Sequence, residues 1–236
     1  MKIKNLVPAL ALSTLAVPAA SMAEVTANVG FSSEYIFRGV FQEDSSAYAG
    51  VDYASDNGFY IGTWGADVGQ GLETDLYFGF AGGEDFTYKI GFTGYYYTDD
   101  FDDTYQEVNL GIGYGIFALD VAIGEWDGGL FGFESQDYDF TSITISPEKG
   151  PYYKVGIWGG DFEENVMFPN AKTFPASGDG DYFEMGYTYS IEDQGVDLSI
   201  AYIYSSDLVV GNFDDGETSG DSALVFGIKK NFSVGE

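Results

Sequence analysis

From Glu24 onward, apolar and polar residues alternate at period two through almost every segment, the pattern of strands whose two faces meet different surroundings. In the first stretch Val25, Ala27, Val29, Phe31, Tyr35 and Phe37 share one face, against Thr26, Asn28, Ser32 and Glu34 on the other. Further along, Thr74, Leu76, Phe78 and Phe80 oppose Glu73, Asp75 and Tyr77, and Val196, Leu198, Ile200, Tyr202 and Tyr204 oppose Asp197 and Ser199. Twelve such segments are predicted, at 24–37, 46–54, 59–68, 73–81, 86–97, 104–114, 117–126, 137–146, 151–160, 181–190, 196–205 and 221–232. Their typical length of about ten residues is what a tilted strand needs to cross a hydrocarbon layer.

The connections sort into two alternating classes. Short ones are Ser55-Asp56-Asn57-Gly58, Gly82-Gly83-Glu84-Asp85, a tight turn near Gly115, Pro147-Glu148-Lys149-Gly150 and Ile191 to Gly195. Between them lie 38–45, 69–72, 98–103, 127–136, 161–180 and 206–220, of which only 69–72 is equally short. Tight turns at one end and longer loops at the other predict an all-β fold, a single up-and-down antiparallel transmembrane barrel of about 12 strands with periplasmic turns and extracellular loops. A soluble secreted sandwich would bury its apolar faces in one shared core and would not sort its turns this way. Twelve strands leave a lumen between that of the filled eight-stranded barrels and the open 16-stranded porins.

The segment before Glu24 reads differently. Met1-Lys2-Ile3-Lys4 precedes an apolar stretch from Leu6 to Ala20, then Ser21-Met22-Ala23. A charged start, an apolar middle and small residues at a cleavage site predict a signal peptide over 1–23, cut after Ala23, with the barrel domain over 24–236. Pro8 and Pro18 argue against a transmembrane anchor there.

Composition narrows the chemistry. The chain has 236 residues, 38 Asp+Glu against 9 Lys+Arg, no His and no Cys, for a formal charge of -29. Without His and Cys there is no Ser-His-Asp triad, no imidazole acid or base, no thiolate nucleophile and no zinc-thiolate site. No catalytic residue, metal site or cofactor is expected. Nucleic acid is excluded as a partner, because an acidic surface repels phosphate. Asp99-Asp100-Phe101-Asp102-Asp103 and Asp214-Asp215-Gly216-Glu217 are dense in carboxylates, but neither has the spacing of a calcium loop. Gly111-Ile112-Gly113-Tyr114-Gly115 lies in an alternating strand and opens no helix, so it is not a phosphate loop.

What remains is the lining. The parity of the strands turns Glu34, Asp52, Glu73, Asp75, Glu107, Asp120, Glu184 and Asp197 inward, with Lys89, Lys154 and Lys229 as counter-charges. Opposite signs are expected to pair across the lumen and partly fill it. The surplus is negative, so the expected function is a porin-like outer-membrane channel for small hydrophilic solutes that prefers cations. The alternative is a non-conducting structural or surface-interaction barrel whose acidic loops meet lipopolysaccharide or another partner. Lipid, lipopolysaccharide and the barrel-assembly machinery are the expected partners of either. In the longest loop, Val166-Met167-Phe168-Pro169 and Phe174-Pro175 suggest packing against the barrel interior, where the loop would narrow the pore, or against a neighbouring barrel or the loop itself.

Several stretches also resemble a known family. Ser33-Glu34-Tyr35-Ile36-Phe37-Arg38-Gly39-Val40-Phe41-Gln42 resembles the opening motif of the TorF-type porin family of Gram-negative outer-membrane proteins. Gly58 to Val68, Glu73 to Gly79 and Glu107 to Gly111 resemble strands that follow it. The resemblance implies an outer-membrane barrel with a channel role and no assigned substrate. Phe41 departs from it, standing where a small hydroxyl residue is expected. So does the C-terminus, where Phe232 is followed by Ser233-Val234-Gly235-Glu236 instead of ending the chain.

Overall fold

The computed structural model describes residues 24–132, 134–160, 180–206 and 221–234. The signal segment 1–23, the apolar residues of loop 161–180 and the acidic run at 214–217 lie outside them. Twelve strands close into an antiparallel ring: β1 (Glu24–Ser32), β4 (Ser46–Ala54), β5 (Phe59–Asp67), β6 (Leu72–Gly83), β7 (Phe86–Tyr97), β8 (Tyr105–Tyr114), β9 (Phe117–Trp126), β10 (Gln136–Ile145), β11 (Tyr152–Gly160), β12 (Gly180–Ile191), β13 (Val196–Ser205) and β14 (Asp221–Val234). Each pairs with its chain neighbour, and β14 returns to β1 with Ala27 opposite Phe232 and Phe31 opposite Ile228. The ladder therefore has no open edge, which is the condition for a sheet to cross lipid.

One segment departs from the expected pattern. The first strand ends at Ser32, not at residue 37, and β1 pairs directly with β4, Ser32 opposite Ser46. The residues between form a separate two-stranded hairpin, β2 (Tyr35–Phe37) and β3 (Val40–Glu43), outside the ring's ladder. Its turn is Arg38-Gly39, both with positive φ, 50° and 87°, the geometry of a two-residue hairpin turn whose twist suits the flanking strands. Glycine adopts this cheaply; arginine does not.

The alternation has the physical meaning expected of a barrel. Phe78, Ile90, Leu110, Ile123, Ile157 and Phe226 point outward and are about half exposed or nearly so, forming an apolar outer wall. The inner face carries the polar and charged residues together with tyrosines that lie on glycines of adjacent strands. A Cβ on Gly30, Gly156 or Gly186 would sit within 2.6 Å of the ring of Tyr48, Tyr182 or Tyr152 respectively. Glycine in these strands thus makes room for large inward rings.

Leu110 lies midway along β8 between Ile90 and Val121. Leu110→Arg is expected to cost about 2–4 kcal/mol of folding free energy in a bilayer, whereas Tyr114→Arg near the turn end costs at most about 1 kcal/mol. Urea titration of protein refolded into liposomes measures both.

Candidate functional site

The hairpin folds into the barrel at the loop end, and its tip is buried. Arg38, the single arginine of the chain, is 6% exposed and Glu107 of β8 is 1% exposed. The guanidinium donates two parallel hydrogen bonds to that carboxylate, Nη1 to Oε2 at 2.8 Å and Nη2 to Oε1 at 2.7 Å. Paired donors of this kind fit the planar fork of arginine and no other side chain. The guanidinium also lies 4.7 Å from the ring centroids of Phe37 and Phe140 and 5.7 Å from that of Trp158, a desolvated cation over three aromatic faces.

Glu107 is held by more than the hairpin. Tyr95 of β7 and Asn109 of β8 donate to Oε1 at 2.7 Å each, and Tyr138 of β10 donates to Oε2 at 3.0 Å. A buried carboxylate needs such satisfaction, because desolvating it unpaired costs several kcal/mol.

The hairpin backbone is anchored in the same region. Trp158 Nε1 donates to the Arg38 carbonyl at 2.9 Å and Ser205 Oγ to the Gly39 carbonyl at 2.6 Å. Tyr35 donates to Glu73 of β6 at 2.9 Å. Val40 packs into a buried cluster with Tyr138, Phe140, Trp158, Tyr182, Ala201, Ile203 and Val225, while Tyr35 packs with Ala66 and Val68 on the other side. Among the described residues it is this first loop, with its tip on strands β8 to β13, that occupies the loop-end lumen.

The charges read from the sequence distribute unevenly. Glu73, Asp75 and Glu107 are buried, Glu73 and Glu107 bound to the hairpin, and Lys154 and Glu184 are buried as well. Glu34 is not on a ring strand as expected; it lies just before the hairpin, and its carboxyl is raised above its ordinary range by burial and then by Asp44 and Asp221. Arg38, which strand parity did not place on the lining, is the center of the buried cluster. Toward the turn end, Asp52, Lys89, Asp120, Asp197 and Lys229 keep partial contact with water. Their pairs run along the wall and not across it. Lys89 reaches Asp120 at 2.7 Å over Gly111, where a Cβ would lie 2.4 Å from the lysine chain. Lys229 and Asp197 are opposed neighbours at 3.8 Å, Lys154 faces Glu184 in register, and Asp52 accepts from Tyr77 at 2.5 Å.

Sequence reasoning missed the supporting cast of Tyr35, Tyr95, Asn109, Tyr138, Phe140, Trp158 and Ser205. One available signal was a lone arginine next to glycine in a strongly acidic chain, flanked by apolar residues on both sides.

The acidic loop 98–104 is explained locally. Asp102 is buried and accepts from the Asp103 amide, Tyr105 and the Trp126 indole, at 2.6, 2.9 and 3.2 Å. Asp103 accepts from the Thr104 and Leu130 amides at 2.7 and 2.6 Å. These carboxylates serve as caps for backbone and aromatic donors. Among the described residues no group of three or more acidic side chains is placed to hold a metal.

Three solved structures share the architecture: a membrane protein from work on in-meso crystallization (TM-score 0.59, 11% identity, 89% of this chain and 83% of that chain), the NanC porin (0.54, 8%, 86% and 98%) and the KdgM porin (0.53, 6%, 89% and 99%). At such identities the likeness is one of fold. No curated protein matches the chain. Residues 16–232 match the model of a family described as a bacterial protein of unknown function, Gcw_chp.

Two outcomes follow from this geometry. Burial pushes the Asp102 carboxyl up to about 7, above the 3.8 of a free aspartate, so its protonated form favours the folded loop. That contribution is full below about pH 4 and is lost as the pH rises through about 7. The Trp126 indole N–H resonance is expected to titrate with a midpoint near 7, and to stop doing so in Asp102→Asn. Gly39→Ala places a Cβ at φ 87° and 2.7 Å from Cβ of Tyr182. It is expected to loosen the hairpin by about 1–3 kcal/mol, seen as faster hydrogen exchange of the Trp158 indole in a barrel that still migrates as folded.

Proposed function

The chain belongs to the Gcw_chp family of bacterial proteins of unknown function, and from its geometry we propose that it is an outer-membrane channel for small hydrophilic solutes, constricted by its own first loop. The observation that carries this reading is the contrast between the two faces of one closed ladder. The outer face is apolar, while the inner face holds Asp52, Lys89, Asp120, Asp197 and Lys229 in partial contact with water. A charged inner wall is costly unless water or solute uses it. The porin-like fold and the resemblance of the opening motif to the TorF-type family support the same role.

Cation preference follows from how the charges are shared. Lys89 and Lys229 each have an aspartate within reach, Lys154 faces Glu184, and Arg38 is neutralised by Glu107. Among the described residues Asp52 of β4 has no basic side chain within ion-pairing distance, so of the lining charges in partial contact with water Asp52, Asp120 and Asp197 outnumber Lys89 and Lys229 by one. The net field of the inner wall is therefore negative. Export by residues 1–23, assembly by the barrel-insertion machinery and contact of the acidic loops with lipopolysaccharide complete the proposal; no catalytic step is assigned to any residue.

The seated hairpin favours a second reading, a barrel closed at rest that serves as a structural or surface-interaction protein. Single-channel recording of residues 24–236 in a planar bilayer under a tenfold potassium chloride gradient decides between them. Discrete steps with a reversal potential of cation-selective sign are expected. An anion-selective sign would overturn the charge argument, and silence from protein shown to be folded by heat-modifiable migration would favour the second reading.

A further inference from the structure

We infer that the Glu107 pocket is a receptor for guanidinium groups which Arg38 occupies as a built-in ligand, so that a solute carrying a guanidinium competes with the hairpin for it. The inference rests on the channel reading only for the route by which such a solute arrives. The pocket belongs to the wall: Glu107, Tyr95, Asn109, Tyr138, Phe140 and Trp158 come from β7, β8, β10 and β11. When Arg38 leaves, Glu107 keeps three donors, two on Oε1 and one on Oε2. Its carboxylate therefore stays satisfied and oriented, and two of the three aromatic rings remain in place. The site survives the loss of its occupant.

The occupant is separable. The hairpin shares no ladder hydrogen bond with the ring, which closes through β1 and β4 without it. Its root is tied by backbone to β14, where the Ser33 amide donates to the Phe226 carbonyl at 2.8 Å and the Phe226 amide to Ser33 Oγ at 2.9 Å. Among the described residues, the hydrogen bonds of its tip to the wall run to Glu107, Trp158 and Ser205, a wall side chain in each case. Arg38 holds a positive φ that an arginine adopts at a cost, so the turn places the guanidinium in the pocket against its own backbone preference. Two carboxylate acceptors flanked by aromatic faces select guanidinium over ammonium, because ammonium offers neither the plane nor the parallel pair of donors.

The test uses the full barrel refolded in detergent, with Arg38→Ala to vacate the pocket and methylguanidinium as probe. Saturable movement of the Trp158 indole resonance is expected, with methylguanidinium binding at least about tenfold more tightly than methylammonium. Glu107→Gln in the same background should abolish it. Wild-type protein should respond only at higher probe concentration, since tethered Arg38 competes at an effective concentration of millimolar order or above. No saturable shift in folded Arg38→Ala, or an equal response to methylammonium, would overturn the proposal. Should Arg38→Ala fail to refold, Arg38→Gln takes its place. A wild-type experiment stands independently: methylguanidinium should speed exchange of the Trp158 indole N–H, whose acceptor leaves with the hairpin, and an unchanged rate at saturating probe would count against it. In bilayers, current through Arg38→Ala should be blocked again by methylguanidinium. Binding without current in any variant would remove the channel reading and leave the receptor standing.

Discussion

A sheet that crosses lipid must satisfy every backbone donor and acceptor from within its own ring, and here that requirement is met by β1 pairing on one side with β14 and on the other with β4. Residues 33–45, between β1 and β4, are thereby released from the ladder. They fall inward because their side chains, Tyr35, Phe37, Arg38 and Val40, find apolar and acidic partners on the inner wall, Tyr35 on the β5–β6 side and Arg38 and Val40 on β8 to β13. Closure of the ring and occupation of the lumen are thus two results of one constraint.

The lumen that results is unequal from end to end. Near the loops, a buried ion pair and stacked aromatic rings fill it; near the turns, Lys89 with Asp120 and Lys229 with Asp197 pair along the wall in partial contact with water, while Lys154 and Glu184 are buried. The buried pair is poor evidence for stability in itself, since desolvating two charges offsets most of their attraction. Its value lies in orientation: a carboxylate held by two tyrosines and an asparagine accepts a planar partner in one pose.

Most strands were legible because a ring with lipid outside and water or polar groups inside imposes strict alternation, and 46–54, 86–97, 117–126 and 196–205 are found where the pattern put them. The first strand was read too long for a physical reason. Tyr35 and Phe37 continue the odd-numbered apolar parity of Val25 to Phe31, and parity alone does not register that the chain has left the ladder. The turn was also disguised, because Arg38 occupies a position where asparagine or glycine usually announces a two-residue turn. Inward parity put Glu107 on a candidate lining but gave no hint of its partner, which lies 69 residues away in sequence. The pairing of Lys89 with Asp120 over Gly111 was hidden for a similar reason: it skips a strand, and only the register of three strands together brings it out.

The hairpin hangs from the seam where the ring closes. Ser33 is bound to Phe226 of β14, and the β1–β14 pairing joins residues from opposite ends of the barrel sequence, Val25 with Val234. Contacts of such long range carry the largest chain-entropy cost, which places them late in assembly. The root of the hairpin is fixed only once that final zipper forms. A partly zipped barrel consequently lacks a fixed stopper, and the finished one acquires its constriction in the same act that seals its wall.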